Sequence, residues 1–184
     1  MKKLLSGILF LGCSALWAEE FTIPENCTAF LAKKDMLFSQ NVEITGTNCS
    51  QKIEILQKKG LYLLTVHIPG NQFKTGNPGR NNSVSDILGD MVFTAELTQP
   101  QYQNFSDMDF LKGKLKIKDT SSPVTFQLRK AGNFVRGTYN GTLKEFGVTP
   151  PNAGPWNIMA ETHDFVILGF HIHADMLKKG DPLP

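Results

Sequence analysis

The chain has 184 residues, which is enough for one domain and would be cramped for two. Hydrophobic residues make up 41% of the chain and charged residues 20%, which is typical of a globular protein rather than a disordered one. The formal net charge is +2, and without Lys2 and Lys3 the remaining chain carries 17 basic and 17 acidic side chains. This balance argues against the basic surface that nucleic-acid binding requires, so we expect no nucleic-acid partner.

The first 18 residues have the pattern of a secretory signal peptide. A cationic start is followed by a mostly apolar run at residues 4–16, and small residues precede the expected cleavage after Ala18. The run is well short of the ~20 residues that a membrane-spanning helix needs. We therefore expect residues 1–18 to be removed and residues 19–184 to form one domain, periplasmic or secreted in a bacterium and not membrane-spanning. Lipid attachment at Cys13 is the alternative, because Gly12 and Cys13 match the end of a lipoprotein cleavage site.

Two cysteines remain if Cys13 leaves with the signal peptide. Cys27 and Cys49 form an even number in an exported chain, which predicts a disulfide. The bond would close a loop of about 22 residues, worth about 3 kcal/mol on the chain-entropy model. Two free thiols are the alternative. The spacing does not fit the CxxC motif of thiol oxidoreductases.

Alternation of apolar and polar residues dominates the remaining chain and predicts antiparallel strands. Residues 111–118 are the clearest case, because four lysines alternate there with apolar or small residues. We interpret these lysines as a solvated outer face rather than as a patch that binds anions. The strands predicted by this pattern or by continuous apolar runs cover residues 38–45, 52–58, 61–68, 91–98, 111–118, 124–129, 135–143 and 164–174.

One short helix interrupts the strands. Ser83 can cap a turn whose third residue is Asp86, and Gly89 can end it. About eight strands of about eight residues each predict an all-β fold, a single antiparallel β-barrel with one short helix. A two-sheet sandwich is the second choice.

Several segments between residues 61 and 148 form a dispersed pattern. They are Leu-Thr-Val-His-Ile-Pro at 64–69, Lys-Thr-Gly-Asn-Pro-Gly-Arg-Asn-Asn at 74–82, Gly-Lys-Leu-Lys-Ile-Lys at 113–118, Pro-Val-Thr-Phe at 123–126 and Glu-Phe-Gly-Val at 145–148. This pattern resembles the YceI-like family. The resemblance implies an extended lipocalin-like barrel, exported in bacteria, that encloses a long apolar ligand such as a polyprenoid or isoprenoid quinone. It implies no catalytic residue and no cofactor, hence a binding protein for carriage or storage rather than an enzyme.

The strand periodicity nominates the residues that would line the barrel. In the last strand we expect Val166 and Leu168 to point inward, because His171 and His173 on the other face would be costly to bury. Gly137 would leave room for a ligand chain to pass. The full predicted lining is Met91, Phe93, Leu97, Leu115, Ile117, Phe126, Leu128, Val135, Gly137, Tyr139, Val166, Leu168 and Phe170.

A metal site is the alternative function. His171 and His173 project from the same face of a predicted strand, and such a pair can bind zinc with His67 or His163 as a third ligand. An open fourth position would activate water and make the protein a zinc-dependent hydrolase or lyase. A surface or scaffold protein that uses the irregular segment 149–156 is a third alternative. We expect an isoprenoid or other long-chain lipid as the ligand, and the sequence leaves a homodimer open.

Overall fold

A computed structural model describes residues 22–153 and 160–177 of the chain, and its main feature is one antiparallel sheet. The strands are β1 (Cys27–Met36), β2 (Ser39–Asn48), β3 (Lys52–Lys58), β4 (Leu61–Ile68), β5 (Met91–Thr98), β6 (Phe110–Ile117), β7 (Thr120–Ala131), β8 (Phe134–Gly141), β9 (Asn152–Ala153) and β10 (Ala160–His173). Helix α1 (Pro78–Leu88) precedes β5, and helix α2 (Gln99–Gln103) follows it. Short 3-10 turns lie at Gly70–Gln72, Phe105–Asp107, Lys144–Phe146 and Ala174–Leu177.

The sheet curls round into a lipocalin-like barrel. Its strand order is β2-β1-β10-β8-β7-β6-β5-β4-β3, with the short strand β9 paired to β10. The two ends of this path, β2 and β3, are consecutive in the chain and are separated only by residues 49–51. Strands β2 and β3 can lie close to each other only if the sheet curves. No backbone hydrogen-bond pairing joins β2 to β3 in the described part of the chain. The all-β barrel expected from the sequence is therefore confirmed, as a barrel that strand pairing does not fully close.

All eight predicted strands are present, and the lysines of β6 are exposed as expected. Strand β1 was not predicted. Its first five residues, Cys27 to Leu31, are all buried, so the alternation that marks the other strands is missing there. The strand lies between β2 and β10 inside the sheet.

The helix prediction is correct at its end and wrong at its start. Gly89 ends α1 with a positive φ of 58°, as expected of a glycine at this place. The helix begins five residues before Ser83, at Pro78, and Asn77 caps it by accepting the Arg80 backbone N–H at 3.1 Å. Proline is favourable at the first helical position, where its missing N–H costs nothing. Helix α2 was not predicted, so the expectation of a single helix is also corrected.

The predicted disulfide between Cys27 and Cys49 is confirmed, with 4.1 Å between the two Cα atoms. It lies beside the paired residues Thr28 and Asn48, where β1 begins and β2 ends. Structural disulfides persist in oxidising compartments. The predicted signal peptide and Cys13 lie outside the described residues. None of the helices in the described ranges is long and apolar enough to cross a membrane.

Candidate functional site

A cavity of about 340 Å³, here called the mouth cavity, lies between α1 and strands β1, β2 and β10. Its size falls within the ~300–1,000 Å³ of ordinary small-molecule sites. Its floor is apolar, because Phe30, Val84 and Val166 are buried there. The full lining is Phe30, Ala32, Lys34, Ile44, Arg80, Ser83, Val84, Ile87, Leu88, Leu143, Pro151, Thr162 and Val166.

Helix α1 forms one wall of the mouth cavity. Val84 and Leu88, one helical turn apart, are the buried residues of this helix. The start of the helix is attached to the preceding loop, because the Asn81 side-chain oxygen accepts both the backbone N–H and the hydroxyl of Thr75, each at 2.8 Å.

The rim of the mouth cavity is polar and cationic. Lys34 and Arg80 are both half-buried there, and neither forms an ion pair within the described ranges. On another side of the rim, the Thr162 hydroxyl donates to the Pro151 carbonyl oxygen at 2.5 Å. An apolar floor under a cationic rim suits a molecule with an apolar chain and a polar or anionic end.

A second, smaller cavity of about 50 Å³, here called the inner cavity, lies among the side chains that the curved sheet encloses. Its walls are almost wholly apolar; Gln51 is an exception, and its buried Oε1 has no protein partner among the described residues. A dry engineered cavity of ~150 Å³ holds one benzene. The inner cavity is smaller than that, so a long ligand can occupy it only if side chains move.

Two aromatic rings separate the mouth cavity from the inner cavity. Phe30 lines the mouth cavity and Phe73 lines the inner cavity, and no residue lines both. The rings pack edge to face with centroids 5.3 Å apart. Gly46 allows this arrangement, because a Cβ at that position would overlap the Phe30 ring. We call the two rings the Phe30–Phe73 partition.

The predicted lining residues divide into three groups. Those on the inner cavity are Met91, Phe93, Leu115, Phe126, Leu168 and Phe170. Val166 alone of the predicted set lines the mouth cavity. The others belong to or pack against the apolar core without lining either cavity: Leu97, Ile117, Leu128, Val135, Gly137 and Tyr139. Their role in ligand binding stays a prediction.

The space beside Gly137, where the sequence predicts that a ligand chain could pass, holds a ring of the protein in this structure, and the role of Gly137 in ligand binding stays a prediction. A Cβ at Gly137 would overlap the ring of Phe170 on the neighbouring strand, so that ring already occupies the space. Phe170 also packs against Phe126, with ring centroids 5.4 Å apart. The missing side chain of Gly137 therefore makes room for a ring of the protein itself.

Tyr139 packs against the edge of the core and forms a hydrogen bond through its hydroxyl group. Its hydroxyl donates to the Glu145 carboxylate. Burial, followed by this hydrogen bond, raises the pKa of Tyr139 well above its ordinary value. The ring is therefore neutral at physiological pH.

His171 and His173 are occupied by local contacts. The Nδ1 atom of His171 lies 3.1 Å from the Ile23 carbonyl oxygen. The Nδ1 atom of His173 accepts the Asp175 backbone N–H at 3.3 Å. Both imidazoles are half-buried on the face of β10 opposite Val166.

The two histidines suggested as third metal ligands pair with other residues. His67 Nε2 lies 3.9 Å from a Glu54 carboxylate oxygen, and His163 Nε2 lies 3.0 Å from an Asp35 carboxylate oxygen. Within residues 22–153 and 160–177, no three or more side chains of His, Cys, Asp or Glu come together as a metal site. The donor set that a zinc centre needs is therefore not assembled among these residues.

The chain belongs to the YceI-like family. The family model described as the YceI-like domain matches residues 23–174, which include every strand of the sheet. The resemblance seen in the sequence is therefore confirmed.

Solved structures with the same fold include two proteins of known source. BcnA of Burkholderia cenocepacia has a TM-score of 0.51 and 17% identity, over 79% of this chain and 93% of its own. A polyisoprenoid binding domain from Saccharophagus degradans, implicated in plant cell wall breakdown, has a TM-score of 0.51 and 12% identity, over 78% of this chain and 91% of its own. At these identities the likeness supports the fold alone. No curated protein matches the sequence.

Proposed function

We propose that this protein is an exported binding protein that encloses a long apolar ligand, a polyprenoid or isoprenoid quinone, for carriage or storage. The observation that carries the proposal is the mouth cavity, with its buried apolar floor and its cationic rim at Lys34 and Arg80. The polyisoprenoid binding domain with the same fold makes an isoprenoid the first ligand to test.

The ligand chain would lie along both cavities. Its apolar end would displace the Phe30–Phe73 partition and extend into the inner cavity, where Met91 and Leu168 are among the apolar walls. Each methylene buried in this way contributes about 0.8 kcal/mol. The polar end would remain at the rim, because the inner cavity offers few groups that could satisfy it.

Binding rather than catalysis is the role that the described residues support. The walls of both cavities carry few groups that could act as an acid, a base or a nucleophile. The zinc-dependent alternative has no specific observation in its favour, since no three or more side chains of His, Cys, Asp or Glu come together within residues 22–153 and 160–177.

A pair of variants on α1 tests the proposal. Ser83 and its neighbour Asn82 are both exposed, but Ser83 lines the mouth cavity and Asn82 lines neither cavity. Binding of geranylgeraniol, measured by isothermal calorimetry, should weaken about tenfold or more in Ser83→Trp, because the indole occupies part of the mouth cavity. A tenfold change corresponds to about 1.4 kcal/mol, or about two methylenes left unburied.

The control is Asn82→Trp, which adds the same side chain to the same helix but outside the cavity. It should bind within about twofold of the unmodified protein. Equal binding by both tryptophan variants would contradict the proposed site. No binding by the unmodified protein, across isoprenoid alcohols and quinones, would contradict the proposed function.

A further inference from the structure

The hairpin between β1 and β2 ends in three consecutive exposed apolar residues, here called the apolar tip. Met36 is 44% exposed, Leu37 55% and Phe38 93%. A large side chain left almost wholly in water forgoes the ~1.5–3 kcal/mol that its burial would provide. Such a cluster marks a surface that another partner covers.

Turn chemistry does not explain these residues. Leu37 and Phe38 form the two-residue turn between the paired residues Met36 and Ser39. Neither residue has a positive φ, so this turn does not need the left-handed conformations for which hairpin turns favour Asn, Asp and Gly. Leucine and phenylalanine contribute nothing to the turn that a polar residue would not.

The apolar tip is held in a fixed position by polar contacts at its base. The Asp35 carboxylate accepts the Asn41 backbone N–H at 2.7 Å, which closes the hairpin below the turn. The same carboxylate lies 3.0 Å from His163 Nε2 on β10. The hairpin therefore presents Phe38 away from the sheet, where no described residue covers it.

The apolar tip adjoins the mouth cavity. Ala32 and Lys34 of β1 and Ile44 of β2, in the two strands that carry the tip, line that cavity. At ~3.3 Å per residue, Met36 lies about 7 Å beyond Lys34 along the strand. A partner that covers the tip would therefore also face the mouth cavity.

The charges near the apolar tip largely pair with each other. Lys33 lies 3.3 Å from Glu43, and Asp35 faces His163, whereas the exposed Glu161, across from Asp35 on β10, has no ion-pair partner among the described residues. Lys34 and Arg80, on the cavity rim, have no ion-pair partner among the described residues. Two available cations beside an apolar cluster match a surface of phosphate groups over hydrocarbon, which is the surface of a lipid bilayer.

We infer that the apolar tip inserts into a lipid bilayer and brings the mouth cavity against the headgroups. Phe38 and Leu37 enter the interfacial region, and Lys34 and Arg80 contact lipid phosphates. This inference gives the proposed binding protein a source and destination for its ligand, and to that extent it rests on the proposed function. Added salt should weaken the contribution of Lys34 and Arg80, whereas the contribution of the apolar side chains should remain.

Sedimentation with vesicles of phosphatidylethanolamine and phosphatidylglycerol tests the inference. Phe38→Ser should lower the partition coefficient about tenfold or more, since the side chain that it removes is almost fully exposed and supports no packing. The matched control is Phe110→Ser, because Phe110 is 53% exposed and begins β6. Phe110 lies four strands away from β1, and the register through β7, β8 and β10 puts it at the level of Ala29, seven residues along β1 from Met36.

Three results would overturn the inference. They are unchanged vesicle binding by Phe38→Ser, an equal loss in Phe110→Ser, and sedimentation equilibrium showing that the apolar tip joins two copies of the chain without vesicles. Geranylgeraniol binding without vesicles separates this inference from the proposed function, because Phe38 lines neither cavity and its variant should bind normally. If the protein binds vesicles through the apolar tip but binds no isoprenoid, the proposed function is rejected and the membrane-docking inference stands. If it binds isoprenoid but its vesicle binding does not depend on the apolar tip, the proposed function stands and the membrane-docking inference is rejected.

Discussion

Removal of the disulfide should cost about 3 kcal/mol of unfolding free energy. The change is the double variant Cys27→Ser/Cys49→Ser, which keeps the size of both side chains nearly constant. The two cysteines are 22 residues apart, and the chain-entropy model gives about 3 kcal/mol for a loop of that length. Since about 1.4 kcal/mol changes an equilibrium tenfold, the ratio of folded to unfolded protein should fall by about two orders of magnitude.

The location of the bond adds a local effect. Cys27 is buried where β1 enters the sheet, and the neighbouring pair Thr28 and Asn48 is the first rung between β1 and β2. The Asn48 side chain also donates to the Pro69 carbonyl oxygen at 2.7 Å, so the end of β2 is hydrogen-bonded to the residue that follows β4. Without the bond, hydrogen exchange at the first residues of β1 should be faster than in the rest of the sheet.

Urea unfolding, followed by circular dichroism, measures the change. Three samples are compared: the oxidised protein, the same protein with dithiothreitol, and the double serine variant. The last two should agree, and both should show a larger dependence on urea, because an unfolded chain without the cross-link exposes more surface. A loss below about 1 kcal/mol, or two free thiols in peptide maps of protein from the periplasm, would refute the reasoning.

Three further predictions concern the core and the hairpin. Gly137→Ala should lower the unfolding free energy by about 1–3 kcal/mol, because the new methyl group overlaps the Phe170 ring, and unchanged stability in urea would mean that the ring can move aside. Phe30→Ala should lower the unfolding free energy by about 3–5 kcal/mol, because Phe30 is buried, and should join the two cavities. Geranylgeraniol should then raise the melting temperature of this variant more than that of the unmodified protein, and equal increases would contradict the partition. In NMR titration the Asp35 carboxyl should show a pKa below its ordinary ~3.9. The main cause is the backbone hydrogen bond that it accepts from Asn41, and the second is the hydrogen bond with His163, so His163→Ala should raise this pKa. Since its folded pKa lies below the unfolded value, Asp35 stabilises the protein above about pH 4 and loses this effect as pH falls through the folded pKa.

The sequence predicted the sheet well where one face of a strand is solvated. In β6, Lys112, Lys114 and Lys116 alternate with apolar or small residues, and in the structure all three lysines are exposed. In β1 the pattern disappears, because Cys27 to Leu31 are buried without interruption. The start of α1 was missed for a different reason, since Pro78 and Gly79 are poor helix formers except at the first turn that they occupy.

The candidate site was harder to predict, because it depends on contacts between distant segments. Phe30 lies on the strand that was not predicted, and Val84 lies on a helix whose packing the sequence does not show. At Gly137 the sequence shows that a side chain is missing but not that Phe170 occupies the space. Periodicity can assign an inward face, whereas the space that remains inside depends on how all the inward side chains pack.

Mass spectrometry of the lipids that co-purify with the exported protein tests the central claim most directly. The protein is isolated from the periplasm without detergent, and an organic extract is compared with an extract of Ser83→Trp prepared in the same way. The account predicts an isoprenoid in near-stoichiometric amount with the unmodified protein and a reduced amount with the variant, because Ser83 lines the mouth cavity. A protein that carries no lipid, or one that carries equal amounts with and without the tryptophan, would contradict it.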